Sequence, residues 1–185
     1  MSGTPPQAPA RQDFFEWAHR HRREVVWMSQ NTNTIPLTPR LREAILRAVD
    51  DAEYNLYPYR PGVFGLQEAI KEDLGPSAEG YDVLLTNGGI EGLYMLNRAL
   101  LKPGDEVIST DPGFLPIHNQ VALSNARTVE LDIYGEPWKL TVEGVNEAVG
   151  PATKALLLND PHNPLGSSYD RREVKALAEI ARDND

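Results

Sequence analysis

Between two prolines in Pro161-His162-Asn163-Pro164 stands one asparagine amide, the side chain of this 185-residue chain best placed for chemistry. The apolar run Ala155-Leu156-Leu157-Leu158 before it reads as a buried strand, and a helix is expected from about Asp170 to Asp183. Two prolines and Gly166 stiffen the strand-to-helix turn. Such a turn presents a polar side chain at the carboxyl end of a parallel strand, where α/β proteins bind ligands. A neutral amide there can donate to a ligand oxygen. An asparagine that only caps its own turn is the competing account.

A second segment, Thr86-Asn87-Gly88-Gly89-Ile90-Glu91, also joins an expected strand to an expected helix. Its glycines allow close backbone approach, and the first helical amides point outward unpaired. With the helix dipole they make an anion site suited to phosphate. Taken alone, a tight turn without a ligand explains paired glycines better. A third segment, Asp111-Pro112-Gly113-Phe114, ends a strand with an aromatic ring. Its face can restrain a flat ligand and exclude water, although most phenylalanines serve a core. A fourth, running from Tyr54 to Gly65, clusters Tyr57 and Tyr59 among turn residues. Surface aromatics packing a loop are what these residues show by themselves. The polar loop Asn31-Thr32-Asn33-Thr34 reads as solvated.

Hydrophobic periodicity supplies the elements that must position these groups. Strands are expected at Asp82–Thr86, Glu106–Thr110, Arg127–Leu131 and Ala155–Leu158. Helices are expected at Leu66–Leu74, Ile90–Leu101, Leu115–Ser124 and Val142–Val149, besides the one after Asp170. This alternation predicts an α/β architecture with a mostly parallel sheet. Ahead of it, one helix is expected from Arg11 to Trp27, with Phe14, Phe15, Ala18 and Val25 on its buried side. Thr38-Pro39 opens another, running to about Glu53, with Leu41, Ile45, Leu46 and Val49 on one face.

A net charge of −9 and a pI near 4.9 argue against nucleic acid as a partner. The absence of cysteine excludes disulfides, thiolate metal sites and thiol nucleophiles. His19, His21, His118 and His162 are too scattered to predict a metal site. No apolar run has the length of a membrane span. Met1 to Ala10 reads as a disordered tip without a signal core, so the cytoplasm is the expected location.

The four segments, in this order, resemble the pyridoxal-phosphate-dependent aminotransferases of class I/II, fold type I, the aspartate aminotransferase superfamily. The resemblance runs from about Ile35 to Asp185. It implies a three-layer α/β/α large domain, incomplete in this chain, beginning near residue 54 and preceded by a small-domain segment over 11–53. It implies pyridoxal 5'-phosphate as cofactor, with the phosphate at Gly88, Gly89 and Ile90. Ile90 replaces a frequent hydroxyl residue, which leaves the contact to backbone amides. Phe114 would stack on the pyridine ring, and Asn163 would donate to the phenolic oxygen, favouring the phenolate. The bonds Asp111-Pro112 and Asn163-Pro164 are expected to be cis. Tyr59, with Tyr57 second, would reach the phosphate of a neighbouring subunit in a homodimer, although its spacing to Gly65-Leu66 departs by about one residue from the family pattern.

The resemblance also implies a Schiff-base lysine, an aspartate at the pyridine nitrogen and an arginine for the substrate carboxylate. None of the five lysines, Lys71, Lys102, Lys139, Lys154 and Lys175, stands in a matching segment, and all read as surface or helix-flank charges. The expectation is therefore the amino-terminal portion of a longer aminotransferase acting on amino acids and 2-oxo acids. Other reactions of the fold, such as decarboxylation, β-elimination or oxidation, stay open. So does a non-catalytic cofactor-binding module.

Overall fold

The computed structural model describes residues 13–28, 30–57, 63 and 65–184. The chain divides into two compact units between residues 58 and 59.

The first unit holds α1 (Phe14–Arg20) and α2 (Pro39–Asp50). α1 stops well short of Trp27. Its end is capped locally, because the Trp17 carbonyl meets both the His21 backbone N–H and His21 Nδ1, at 3.0 and 2.8 Å. Of its expected buried side, only Ala18 is buried; Val25 is half-buried, and Phe14 and Phe15 are exposed. α2 starts where Thr38-Pro39 predicts, with Thr38 Oγ1 accepting from Leu41 N at 3.3 Å. It ends at Asp50, and a short 3₁₀ turn, Glu53–Asn55, follows. Its apolar stripe, Leu41, Ile45, Leu46 and Val49, is exposed.

The second unit alternates helix and strand. Its elements are α3 (Leu66–Leu74), α4 (Gly88–Leu100), β1 (Glu106–Asp111), α5 (Leu115–Ala122), β2 (Arg127–Asp132), α6 (Val142–Ala148), β3 (Thr153–Leu156) and α7 (Arg171–Asp183). The three strands form one parallel sheet in the order β2-β1-β3, with β1 in the centre. β1 pairs with β2 from Glu106↔Arg127 to Asp111↔Asp132.

Residues 82–86 do not form the expected strand. They pair with no strand among the described residues, and side chains engage the segment instead. The Gln67 amide donates to the Val83 carbonyl, and Lys71 Nζ bonds Asp82 Oδ1 at 2.8 Å.

Successive residues of β1 serve opposite faces of the sheet. Val107 packs with Leu101, Val121 and Ala126 on the α5 side. Ile108 packs with Ile133, Leu140, Val145, Leu177 and Ile180, on the side of α6 and α7. Helices thus cover both faces of a central strand buried from Val107 to Thr110, as parallel sheets require. Each fully buried side chain such as Ile108, Leu177 or Val107 contributes roughly 1.5–3 kcal/mol. α7 is set in place by a capping box. Asp170 Oδ1 accepts from Arg172 N and Glu173 N at 2.7 and 2.9 Å, and Glu173 Oε2 accepts from Asp170 N at 2.7 Å.

Candidate functional site

The carboxyl end of β1 is buried and polar. Ser109 and Thr110, which follow the apolar pair Val107-Ile108, are 4% and 6% exposed. Each hydroxyl meets a histidine. Ser109 Oγ lies 3.3 Å from His118 Nε2, whose Nδ1 lies 3.1 Å from Glu130 Oε1. This hydroxyl, imidazole and carboxylate line up like a nucleophile with its base. The burial of Ser109 keeps substrate from the hydroxyl, so the array ties α5 across β1 and β2. Thr110 Oγ1 lies 3.0 Å from His162 Nε2, which brings the turn after β3 against the end of β1.

Beyond Thr110 the chain enters the turn carrying Phe114. The Asp111-Pro112 bond is cis, as expected. Gly113 is packed so closely that an added Cβ would collide with the Thr110 carbonyl and stand 3.1 Å from the His118 ring, so only glycine fits. Phe114 forms the N-cap of α5 and is half-buried. It belongs to neither hydrophobic core cluster.

The turn after β3 is closed by its backbone. Gly166 N donates to the His162 carbonyl at 2.7 Å, and His162 N donates to the Ser167 carbonyl at 2.8 Å. Asn163-Pro164 is cis, and Asp160-Pro161 is cis as well. Asn163 does not cap this turn. It is half-buried, and its side-chain amide makes no hydrogen bond among the described residues.

At the start of α4, Gly88 takes a left-handed φ of +77°, the conformation for which glycine is needed. Its N–H donates to the Thr86 carbonyl at 2.9 Å. The amides of Gly89 and Ile90 have no acceptor among the described residues, and both residues are exposed. Gln120, buried on α5, donates to the Ile90 carbonyl at 2.9 Å. The first turn of α4 is thereby joined to the helix that Phe114 caps.

Two open amides at a helix start, one half-buried ring and one carboxamide without a partner are groups with which a flat anion can be held. Gly88, Gly89, Ile90, Phe114 and Asn163 lie on one connected frame. Tyr59 lies outside the described residues, and Tyr57 is fully exposed. The Asn31-Thr34 loop is exposed, with Asn33 Oδ1 accepting from Ile35 N at 2.9 Å.

A family model described as aminotransferase class I and II matches residues 23–185. The chain belongs to that family. Aminotransferases of this family depend on pyridoxal phosphate. The aspartate/prephenate aminotransferase of Thermus thermophilus is 33% identical over 150 residues, which cover 78% of this chain and 39% of that protein. The probable aspartate aminotransferase of Methanocaldococcus jannaschii is 30% identical over 145 residues, 76% of this chain and 38% of that one. Among solved structures, Thermus thermophilus aspartate aminotransferase with maleate matches with a TM-score of 0.79 at 28% identity, covering all of this chain and 52% of that one. The family member described here thus spans about half or less of the length of these relatives. No helix among the described residues is long and apolar enough to cross a membrane.

The family motifs did not disclose the residues that hold the frame together. Thr110, His162 and Gln120 each stand beside polar or turn-forming residues, so nothing in their local sequence marked them. Lys139 corrects the expectation of surface lysines. Its side chain is 17% exposed, and Nζ donates to Glu173 Oε2 at 2.7 Å and to the Ser168 carbonyl at 3.0 Å, 5.5 Å from the Tyr169 ring centroid. Burial holds the His162 imidazole below its usual range, opposed by the Pro112 carbonyl. The Lys139 ammonium and the Asp170 amide hold the Glu173 carboxyl low.

Proposed function

We propose that this chain is the amino-terminal part of a pyridoxal-phosphate-dependent aminotransferase that moves an amino group between an amino acid and a 2-oxo acid. Residues 11–53 would begin the small domain, and residues 54–185 the cofactor-binding large domain. The observation that carries the reading is the frame at the sheet's carboxyl edge. Phe114 follows β1 and Asn163 follows β3, its neighbour in the sheet, and neither side chain serves a core or a turn cap.

In this reading the open amides of Gly89 and Ile90, with the backbone of Gly88, bind the phosphate at the positive end of α4. The Phe114 ring stacks on the pyridine and keeps water from that face. The Asn163 amide donates to the phenolic oxygen, favours its ionised form and so orients the ring. When bound, pyridoxal phosphate supplies the electron sink that stabilises negative charge at the substrate α-carbon. No lysine of this chain is assigned to proton transfer. Tyr59 would serve the phosphate of a partner subunit, which makes a homodimer the working assembly. Aspartate is the first donor to test, given the relatives' names.

The test is a visible absorption spectrum of the protein expressed from its full coding sequence, with pyridoxal phosphate added. Borohydride reduction and lysine mapping follow. A band that shifts with amino acids, one labelled lysine and keto-acid-dependent turnover support the reading. A labelled lysine with turnover by another route points to a different reaction of the fold. Absence of a band, or label scattered over Lys71, Lys102 and the other lysines, refutes it.

A further inference from the structure

We propose that His162 is a positioning residue that locks the Asn163 turn to the Phe114 turn and so sets where the Asn163 amide stands relative to the Phe114 ring. This rests on the reading that both side chains contact pyridoxal phosphate. His162 is 3% exposed, and every polar group it owns is engaged. Nε2 stands 3.0 Å from Thr110 Oγ1, and Leu165 N donates to Nδ1 at 3.4 Å. Its backbone N–H and carbonyl close the turn through Ser167 and Gly166. With Nδ1 accepting from Leu165 N, the neutral ring carries its proton on Nε2, the nitrogen that faces the threonine hydroxyl.

Both ends of this bond lie next to the site. Thr110 is the last buried residue of β1, and its carbonyl is packed against Gly113, directly before Phe114. His162 is directly before Asn163. The Asn163 amide has no partner among the described residues, so its orientation is inherited from the backbone of its turn. That backbone is fastened to β1 by the imidazole. An apolar residue of similar size would fill the space, yet it would free the turn to shift along the strand end and leave the Thr110 hydroxyl and Leu165 N–H unpaired.

The experiment uses the protein from its full coding sequence, with His162→Ala, His162→Gln, Thr110→Val and Asn163→Ala variants. The first readout is the pH midpoint of the visible band of bound pyridoxal phosphate. Loss of the Asn163 amide raises this midpoint, because its bond favours the phenolate. His162→Ala is expected to raise it too, by about half a pH unit or more, with a smaller rise for Thr110→Val. His162→Gln, whose amide reaches the Nε2 position, is expected to return it toward the parent value. A midpoint unmoved in His162→Ala while thermal stability falls would reduce the residue to a structural one and overturn the proposal. A Gln variant shifted as far as the Ala variant also overturns it.

The second readout needs no cofactor: the side-chain amide signals of Asn163 in ¹H–¹⁵N spectra. One sharp pair in the parent that broadens or doubles in Thr110→Val supports the lock. Unchanged signals refute it. Should the parent bind no pyridoxal phosphate, the reading of the site fails and these signals alone decide the lock. Should His162→Ala fail to fold, Thr110→Val and His162→Gln carry both readouts.

Discussion

Glu91 turns its carboxylate back onto Asn87, accepting from the Asn87 backbone N–H and, at 2.9 Å, from its side-chain amide. One negative charge therefore already stands at the start of α4, beside the open amides of Gly89 and Ile90. It holds the turn, and it repels a second anion. Glu91→Gln keeps an acceptor for the Asn87 N–H and removes the repulsion. Phosphate affinity is expected to rise severalfold at low salt, with the gain fading as salt is added. Titration with inorganic phosphate and with pyridoxal phosphate at two ionic strengths measures it. Weaker binding in the variant would mean that holding the turn outweighs the charge.

The two glycines of this turn are expected to differ. Neither has an atom within 4 Å of an added Cβ, so space does not distinguish them. Gly88 has φ +77°, and Gly88→Ala should cost about 1 kcal/mol in backbone strain. Gly89 has no such constraint, and Gly89→Ala should be neutral or stabilising by up to about 1 kcal/mol. Urea denaturation of the two variants, side by side, makes the comparison.

Phe114 packs in neither core cluster, so its truncation should separate binding from stability. Phe114→Ala is expected to cost well under the about 3–5 kcal/mol of a core phenylalanine. Pyridoxal phosphate affinity should fall about tenfold with loss of the stacked face. Thermal melting and cofactor titration on one preparation test this. A large drop in melting temperature would return the ring to the core.

Stability should decline in acid in two separable stages. His162 is held low by burial, so the folded protein resists protonating it. That contribution is intact above the ordinary value of 6.5 and is lost as pH falls below it. Glu173, held low by Lys139 and the Asp170 amide, contributes above its ordinary value of 4.5 and loses that as pH falls further. Denaturant midpoints across this range should flatten in the upper window for His162→Gln and in the lower for Glu173→Gln. Parallel profiles for parent and variants would assign the acid sensitivity to other groups.

Two lysines test how much burial matters to an ion pair. Lys139 Nζ lies 2.7 Å from Glu173 Oε2 with a largely buried side chain, whereas Lys175 lies 3.9 Å from Glu179 on an exposed helix face. Lys139→Met should destabilise clearly, because it also releases the Ser168 carbonyl. Lys175→Met should be nearly silent in the same melting experiment.

Much of this was legible in the sequence because it is encoded locally. Thr38-Pro39 started a helix, Asp170 with Glu173 capped another, and the apolar runs around Val107, Val129 and Ala155 became strands of one parallel sheet. The family motifs were readable for the same reason, each lying within a few consecutive residues. Residues 82–86 had the pattern of a strand and found no strand to pair with, since a ladder needs a partner that pattern alone cannot supply.

By itself, then, the sequence determined the order of elements from Leu66 onward apart from the strand expected over 82–86, the cis bonds after Asp111 and Asn163, and the family. Only the tertiary structure decided that Ser109 meets His118 and Thr110 meets His162, that Gln120 reaches Ile90, and that a half-buried Lys139 pairs with Glu173. A buried polar group must find a partner, and the identity of that partner depends on which strands lie side by side. Thr110 and His162 are 52 positions apart, and it is the pairing of β1 with β3 that makes them neighbours.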